Sequence, residues 1–286
     1  MSSIMADFLY QYEYVTRLSV FLGIFLLMAL WEIIVPYRML DESRKSRWFN
    51  NIAMIITGSL LLRFVFPAAA IGIAVVTENN QWGILNYNQL SGSAHFILAI
   101  VLLDLSVYFQ HVMFHTLPLF WRFHCVHHTD HALDVTTGLR FHPFELLISM
   151  LVKFVTITAL GAPVLAVVVF EIVLNAMSMF THSNININKK AERIIRWFFV
   201  TPDMHRVHHS IVENETNSNF GFNLSIWDRI FGTYLQEPAG GSENVIFGLS
   251  QFSSDPKWRS FRWLLYMPFV TTINSYAINR RSTKGN

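Results

Sequence analysis

Four apolar runs constrain this chain more than any other feature. "LSVFLGIFLLMALWEIIV" (18–35) is eighteen residues with a single charge near its end. "IAMIITGSLLLRFVFPAAAIGIAVV" (52–76) is longer and is interrupted by Arg63 and Pro67. "HFILAIVLLDLSVYF" (95–109) and "LLISMLVKFVTITALGAPVLAVVVFEIVLNAM" (146–177) follow. About 20 apolar residues cross a bilayer as a helix, so the first two runs can each span, and the third can when extended to His115. Composition agrees: 52% of residues are hydrophobic and 14% charged, where soluble proteins average about 25% charged.

Charge and cysteine content remove other classes. A net charge of +2 with no dense basic run excludes a nucleic-acid partner. One cysteine, Cys125, excludes an internal disulfide framework and a cysteine-rich zinc site. The long first run, and the lack of basic residues in Met1–Tyr14, argue against a cleaved signal peptide. The loop 36–51 carries Arg38, Arg44, Lys45 and Arg47, whereas 77–94 carries no Lys or Arg. The positive-inside rule puts the first loop in the cytoplasm, the second outside, and the N-terminus outside.

The fourth run must then return to the side it left. His142 precedes it, and His182, His205, His208 and His209 follow it, so a single crossing would separate them. It breaks at Gly161-Ala162-Pro163, where glycine and proline punctuate a helix. We expect a hairpin of two helices, about 146–160 and 163–177, each roughly 22 Å long at 1.5 Å per residue. Lys153 and Glu171 lie nine residues either side of Ala162, so a symmetric hairpin brings them together, as charges in a bilayer usually require. The fold expected is an all-α integral membrane protein: three spans plus the hairpin, under a cytoplasmic histidine-rich helical cap.

The stretch "YFQHVMFHTLPLFWRFHCVHHTDH" (108–131) holds six of the twelve histidines. "HVMFH" supplies His111 and His115, "HCVHH" supplies His124, His127 and His128, and "HRVHH" supplies His205, His208 and His209. Residues three and four apart share a helix face, so these spacings gather imidazoles without bending the backbone. A metal needs several nitrogens about 2 Å away, and eight exceed the four of a single zinc site, which implies two metals. Zinc with an open position suggests hydrolysis; iron with imidazole ligands suggests oxygen chemistry. None of the three motifs contains a carboxylate, although Asp130, Asp134, Asp203 and Glu145 are close in sequence. His95 stands about 24 Å of helix from His111 and reads as a surface or interfacial residue. Cys125 points away from its neighbours' shared face and reads as a packed thiol.

At these residues the chain resembles the fatty acid hydroxylase superfamily, also called the sterol desaturase family, of integral-membrane di-iron oxygenases. The resemblance runs from about Asp104 to Tyr234. It rests on "DLSVYFQHVMFH", "LFWRFHCVHHTD", "LDVTTGLRFHP", "FTHSNIN", "TPDMHRVHHS" and "NSNFGFNLSIWDRIFGTY". It implies that His111, His115, His124, His127, His128, His205, His208 and His209 ligate two irons, for which zinc can substitute. It adds His142 of "RFHP" and His182 of "THSN" to the set, and gives His131 no role. The domain division it suggests is a transmembrane region 1–93, a catalytic domain 94–236 and a cytoplasmic or interfacial tail 237–286.

Four residues are candidates to orient the ligating rings. Asp104 and Tyr108 share a helix face with His111 and His115, and ligating imidazoles commonly donate their second N–H to an oxygen. An ion pair with Arg63 is an equal alternative for Asp104. Asn219 and Asp228 fall inside the last of the quoted phrases, where they orient or cap. The implied activity is O2-dependent hydroxylation, or desaturation, of a sterol, fatty acyl or ether lipid taken from the bilayer. No haem, flavin or nicotinamide fingerprint appears in the sequence, so electrons should come from a separate donor protein. The implied location is a bacterial inner membrane or endoplasmic reticulum, with the site facing the cytoplasm. A zinc-dependent membrane lipid hydrolase and a non-catalytic metal store or sensor are the rival readings.

Overall fold

The computed structural model of the protein describes residues 12–40, 43–88, 92–252 and 255–270. The expectations placed on the N-terminus, residues 1–11, and on the tail beyond residue 270 lie outside them. Among the described residues the regular elements are helical, and β pairing is confined to isolated bridges, Pro36 with Ile185, Phe199 with Leu224 and Ser210 with Phe247.

The chain begins with α1 (Glu13–Ile34) and α2 (Arg44–Val65). Pro67 has no amide hydrogen and disfavours helical geometry in the residue before it. Accordingly α2 stops at Phe66 and the chain resumes as α3 (Ala69–Asn79) and α4 (Ile84–Tyr87) before α5 (Gly92–Thr116). Pro118 sits at the first turn of α6 (Pro118–His128), Pro143 at that of α7 (Pro143–Leu160), positions where its missing N–H costs nothing. Then come α8 (Val164–His182), α9 (Lys189–Ile195), α10 (Pro202–His208), α11 (Glu213–Thr216), α12 (Ile226–Ile230) and α13 (Phe261–Val270). Five segments are long and apolar enough to cross a membrane: Tyr14–Ile34, Arg44–Tyr87, Gly92–Thr116, Pro143–Leu160 and Val164–His182.

The hairpin forms at the expected glycine. Gly161 ends α7 with φ +74, a left-handed conformation open to glycine at no steric cost. A Cβ there would lie 2.4 Å from the Trp82 carbonyl oxygen, so the α3–α4 turn is pressed against the tip. Lys153 Nζ meets Glu171 Oε1 at 2.5 Å, as the register requires, and Arg17 reaches Glu171 Oε2 at 2.9 Å. The arms are longer than their apolar runs suggest. Pro143 opens α7 before the run begins, and α8 continues through "SMFTH" to His182. At 18 and 19 residues they reach about 27–29 Å, close to the hydrocarbon thickness. His95 is half-buried at this tip, its Nε2 2.8 Å from the Gly161 carbonyl.

Small residues let these helices approach closely. Ala70, Ala74, Ala99, Ala162 and Ala166 are buried with Leu103, Ile157 and Phe170 where α3, α5 and the hairpin meet. Membrane helices use such residues because lipid supplies no hydrophobic force between them, so packing must. At the other end, α13 packs Leu264 and Met267 against Met54, Trp121 and Cys125 of α2 and α6. The Phe261 amide donates to Asn50 Oδ1 at 2.9 Å. The segment 255–270 thus lies against the helix that carries the second histidine motif.

Candidate metal centre

Two buried groups of histidines form where α5, α6, α8 and α10 end together. His111, His115, His124, His128 and His208 make one; His127, His182, His205 and His209 make the other. Within each group the ligand atoms all lie within 4.8 Å of one another. Each HxxHH motif divides between them. His124 and His128 join the first group while His127 turns to the second, and His205 and His209 join the second while His208 turns to the first. Residues i and i+4 share a stripe, and the odd ring projects to its side.

The rings converge through Nε2. His124 Nε2 stands 3.2 Å from that of His111 and 3.3 Å from that of His128. His182 Nε2 stands 2.9, 2.8 and 3.3 Å from those of His127, His205 and His209. One nitrogen cannot share hydrogen bonds with three others, each carrying at most one proton. Ligand atoms ~2.05 Å from a tetrahedral ion stand ~3.3 Å apart, so the nitrogens have the spacing of a coordination shell.

Outward-facing Nδ1 atoms fix the tautomer of five rings. His111 donates to the Phe220 carbonyl at 2.9 Å, His115 to Asn217 Oδ1 at 3.2 Å and His208 to the Ser218 carbonyl at 2.8 Å. His124 donates to Glu145 Oε1 at 2.6 Å and His182 to the Ser178 carbonyl at 2.6 Å. A proton on Nδ1 leaves the Nε2 lone pair free to ligate, the arrangement typical of metal-bound histidine. Burial, and then the neighbouring imidazoles, hold His127, His128, His205 and His209 well below the usual histidine range. Burial pushes His208 down to about 3. These rings are neutral at physiological pH, the form that binds metal. The donor set therefore fits two transition-metal ions.

Among the sequence candidates, His142 is not brought to either group. It caps α7, its Nδ1 accepting from the Phe144 amide at 3.2 Å while Nε2–H donates to the Leu265 carbonyl at 3.2 Å. That tautomer is opposite to the one shared by the five rings held through Nδ1, so His142 serves as a helix cap. His182 does join them. Asp104 touches no histidine of either group and makes no pair with Arg63. It accepts from the Leu224 amide at 3.2 Å and from Trp227 Nε1 at 2.8 Å. Tyr108 bonds Thr233 Oγ1 at 2.9 Å rather than a histidine.

Asn219 and Asp228 both act on the segment that orients the first group. Asp228 receives the amides of Phe220 and Gly221 at 2.7 and 2.8 Å and Thr233 Oγ1 at 2.7 Å. Asn219, at φ +50, ties the segment to the Met204 and Leu235 carbonyls. His131 is half-buried outside both groups, donating from Nδ1 to the Phe247 carbonyl at 3.2 Å under Gly248. Cys125 is buried outside them, and burial pushes its thiol up.

Sequence reasoning missed Glu145, Asn217 and the carbonyls of Ser178, Ser218 and Phe220 as partners. Glu145 was visible only as a nearby carboxylate, because no helical spacing links it to His124. Backbone carbonyls leave no signature in a sequence. Replacing Glu145 by Gln keeps the shape and removes the charge behind His124. Resistance to a chelator should fall about 10–100-fold, the usual cost of losing such a partner; unchanged metal retention would sink this role.

A membrane protein with five helical segments long and apolar enough to cross a bilayer, and with two adjoining buried histidine groups, is the class defined by fold and site. The family model described as fatty acid hydroxylase matches residues 96–233. An ornithine lipid hydroxylase, OlsE, of Rhizobium tropici is 30% identical over 79% of this chain and 69% of its own length. The alkylglycerol monooxygenase of Xenopus tropicalis is 31% identical over 51% of this chain and 31% of its own length. Human cholesterol 25-hydroxylase is 26% identical over 49% of this chain and 50% of its own. No solved structure matches. The chain belongs to the fatty acid hydroxylase family.

Proposed function

We propose that this protein is a membrane monooxygenase that hydroxylates a lipid with O2, using two irons held by the nine converging histidines. The observation that carries the reading is the pair of buried Nε2 clusters at the ends of α5 and α8, two helices apolar enough to cross a membrane, and of the short α6 and α10 beside them. Named relatives that are lipid hydroxylases and monooxygenases support it. The balance is R–H + O2 + two electrons + two protons giving R–OH + water. Iron supplies the O2 reduction needed to attack an unactivated C–H bond. The protein contributes binding, orientation and tuning.

Those contributions can be assigned to residues. The segment 217–220 sets the ring planes of His111, His115 and His208, and Glu145 adds anionic character to His124. Burial of all nine rings excludes bulk water. Neither histidine group includes a carboxylate, and Glu145 is engaged by His124, which leaves a zinc hydrolase without a general base at the ions. In this reading the electrons come from a separate donor protein, and the basic loops support a site on the cytoplasmic side of a bacterial inner membrane or the endoplasmic reticulum. The functional unit is 94–236, carried by the membrane region 1–93.

Lipid extracts of cells with and without the gene test this reading. A species heavier by one oxygen, labelled from 18O2 and requiring the gene, is expected, with two irons per purified chain. A product formed without O2 by a protein holding zinc alone overturns it. A species lighter by two hydrogens assigns desaturation instead.

A further inference from the structure

Two segments that do not span nevertheless sit deep in the fold. α5 is 25 residues long, about 37 Å, against a hydrocarbon core of about 30 Å. Asp104 is at its midpoint, so it lies about 11 Å or more inside either hydrocarbon boundary when α5 crosses. Asp104 binds the Leu224 amide and Trp227 Nε1. Leu224 in turn pairs with Phe199, the Ser225 amide donates to the Phe198 carbonyl at 3.1 Å, and Val200 to the Asn223 carbonyl at 2.9 Å. This chain of bonds fixes residues 198–200 and 223–227 near the depth of Asp104, and Phe231 lies about one turn further along α5 at Tyr108 and Phe109.

Their outer surface suits that depth. Trp197 and Phe198 are each 64% exposed, with Phe199, Ile226, Ile230 and Phe231 exposed beside them. Phe231 packs on Phe109 of α5 with ring centroids 5.0 Å apart, so this face continues a lipid-facing helix surface. Irregular backbone is tolerated at membrane depth only when its polar groups are satisfied within the protein. Here the amides of Phe220, Gly221, Leu224 and Ser225 all have protein acceptors. Arg229 folds its guanidinium back onto the Arg196 and Ser225 carbonyls at 2.9 and 3.0 Å. Lys189, Lys190 and Arg193 are exposed on α9, the helix that leads directly into this face, and cations beside an immersed surface meet anionic headgroups.

We propose that this face is a docking surface for the acyl chains of the leaflet on the metal side, with the three α9 cations at its phosphates. Phe231 also stacks on Tyr108 at 5.3 Å, one turn before His111. The immersed face therefore brings leaflet chains beside the first histidine group. That consequence rests on the lipid reading above; the immersion itself does not.

A depth measurement tests the immersion without turnover. Nitroxides are placed at Phe198→Cys and, separately, Ile230→Cys in the full-length protein in phosphatidylcholine–phosphatidylglycerol nanodiscs. Leu26→Cys on α1 serves as the hydrocarbon reference and Asn214→Cys on α11 as the aqueous one. Dissolved O2 should relax both test labels as it does Leu26, with loss of the nickel-chelate effect seen at Asn214. Labels relaxed by the chelate like Asn214 overturn the proposal and leave the oxygenase reading standing. Immersed labels on a protein without iron or O2-dependent product support the surface and remove that reading.

Discussion

With His182 replaced by alanine, the four-histidine group should lose its ion and lipid oxidation should fall to background. His182 Nε2 is the hub of that group, 2.8–3.3 Å from the other three Nε2 atoms. Removing an outer partner of a ligand costs about 10–100-fold in metal affinity, and removing the ligand itself costs more. The measurement is metal per chain after dialysis against a weak chelator, with turnover on the same sample. His131→Ala is the control, because His131 lies beside the second motif yet outside both groups. Full metal content in the His182 variant would show that convergence of these rings is packing rather than ligation.

The second large effect concerns stability. Arg47, at the start of α2, donates to Asp134 Oδ2 at 2.6 Å and to Asp130 Oδ2 at 3.0 Å, all three groups being buried. Burial alone would raise the Asp130 carboxyl; Arg47 and Arg140 hold it down to about 2, so it is ionised at neutral pH. Thr137, Asn51 and Arg140 complete a network around the exit from the second histidine motif. Arg47→Ala leaves two buried carboxylates without that cation and should cost about 3–5 kcal/mol, read as a lower thermal midpoint in detergent. Adding Asp130→Asn and Asp134→Asn should recover much of the loss, since a neutral buried set needs no counter-ion. Failure of the triple variant to recover would show that Arg47 acts through packing instead.

Much of the architecture was legible in sequence because membranes narrow the choices. The apolar lengths marked the spans, and Gly161-Ala162-Pro163 marked the turn, because each acts through local chemistry. The Lys153–Glu171 contact followed from symmetry about that turn. The alternative of Asp104 paired with Arg63 failed because depth alone was matched; Leu224 and Trp227, more than a hundred residues away in sequence, occupy the carboxylate instead.

The sequence by itself determined that this chain is a helical membrane protein and singled out the eight box histidines that the fold brings together. Helical periodicity projects residues three and four apart onto one face, and apolar length is read directly from composition. Only the tertiary structure decided how those rings divide into groups of five and four, and that of the two added histidines His182 lies among them while His142 caps a helix. Those outcomes depend on ring orientation, which is set by Glu145 at the start of the hairpin and by Asn217 and the Ser218 and Phe220 carbonyls, which meet the rings only after the hairpin has brought the chain back.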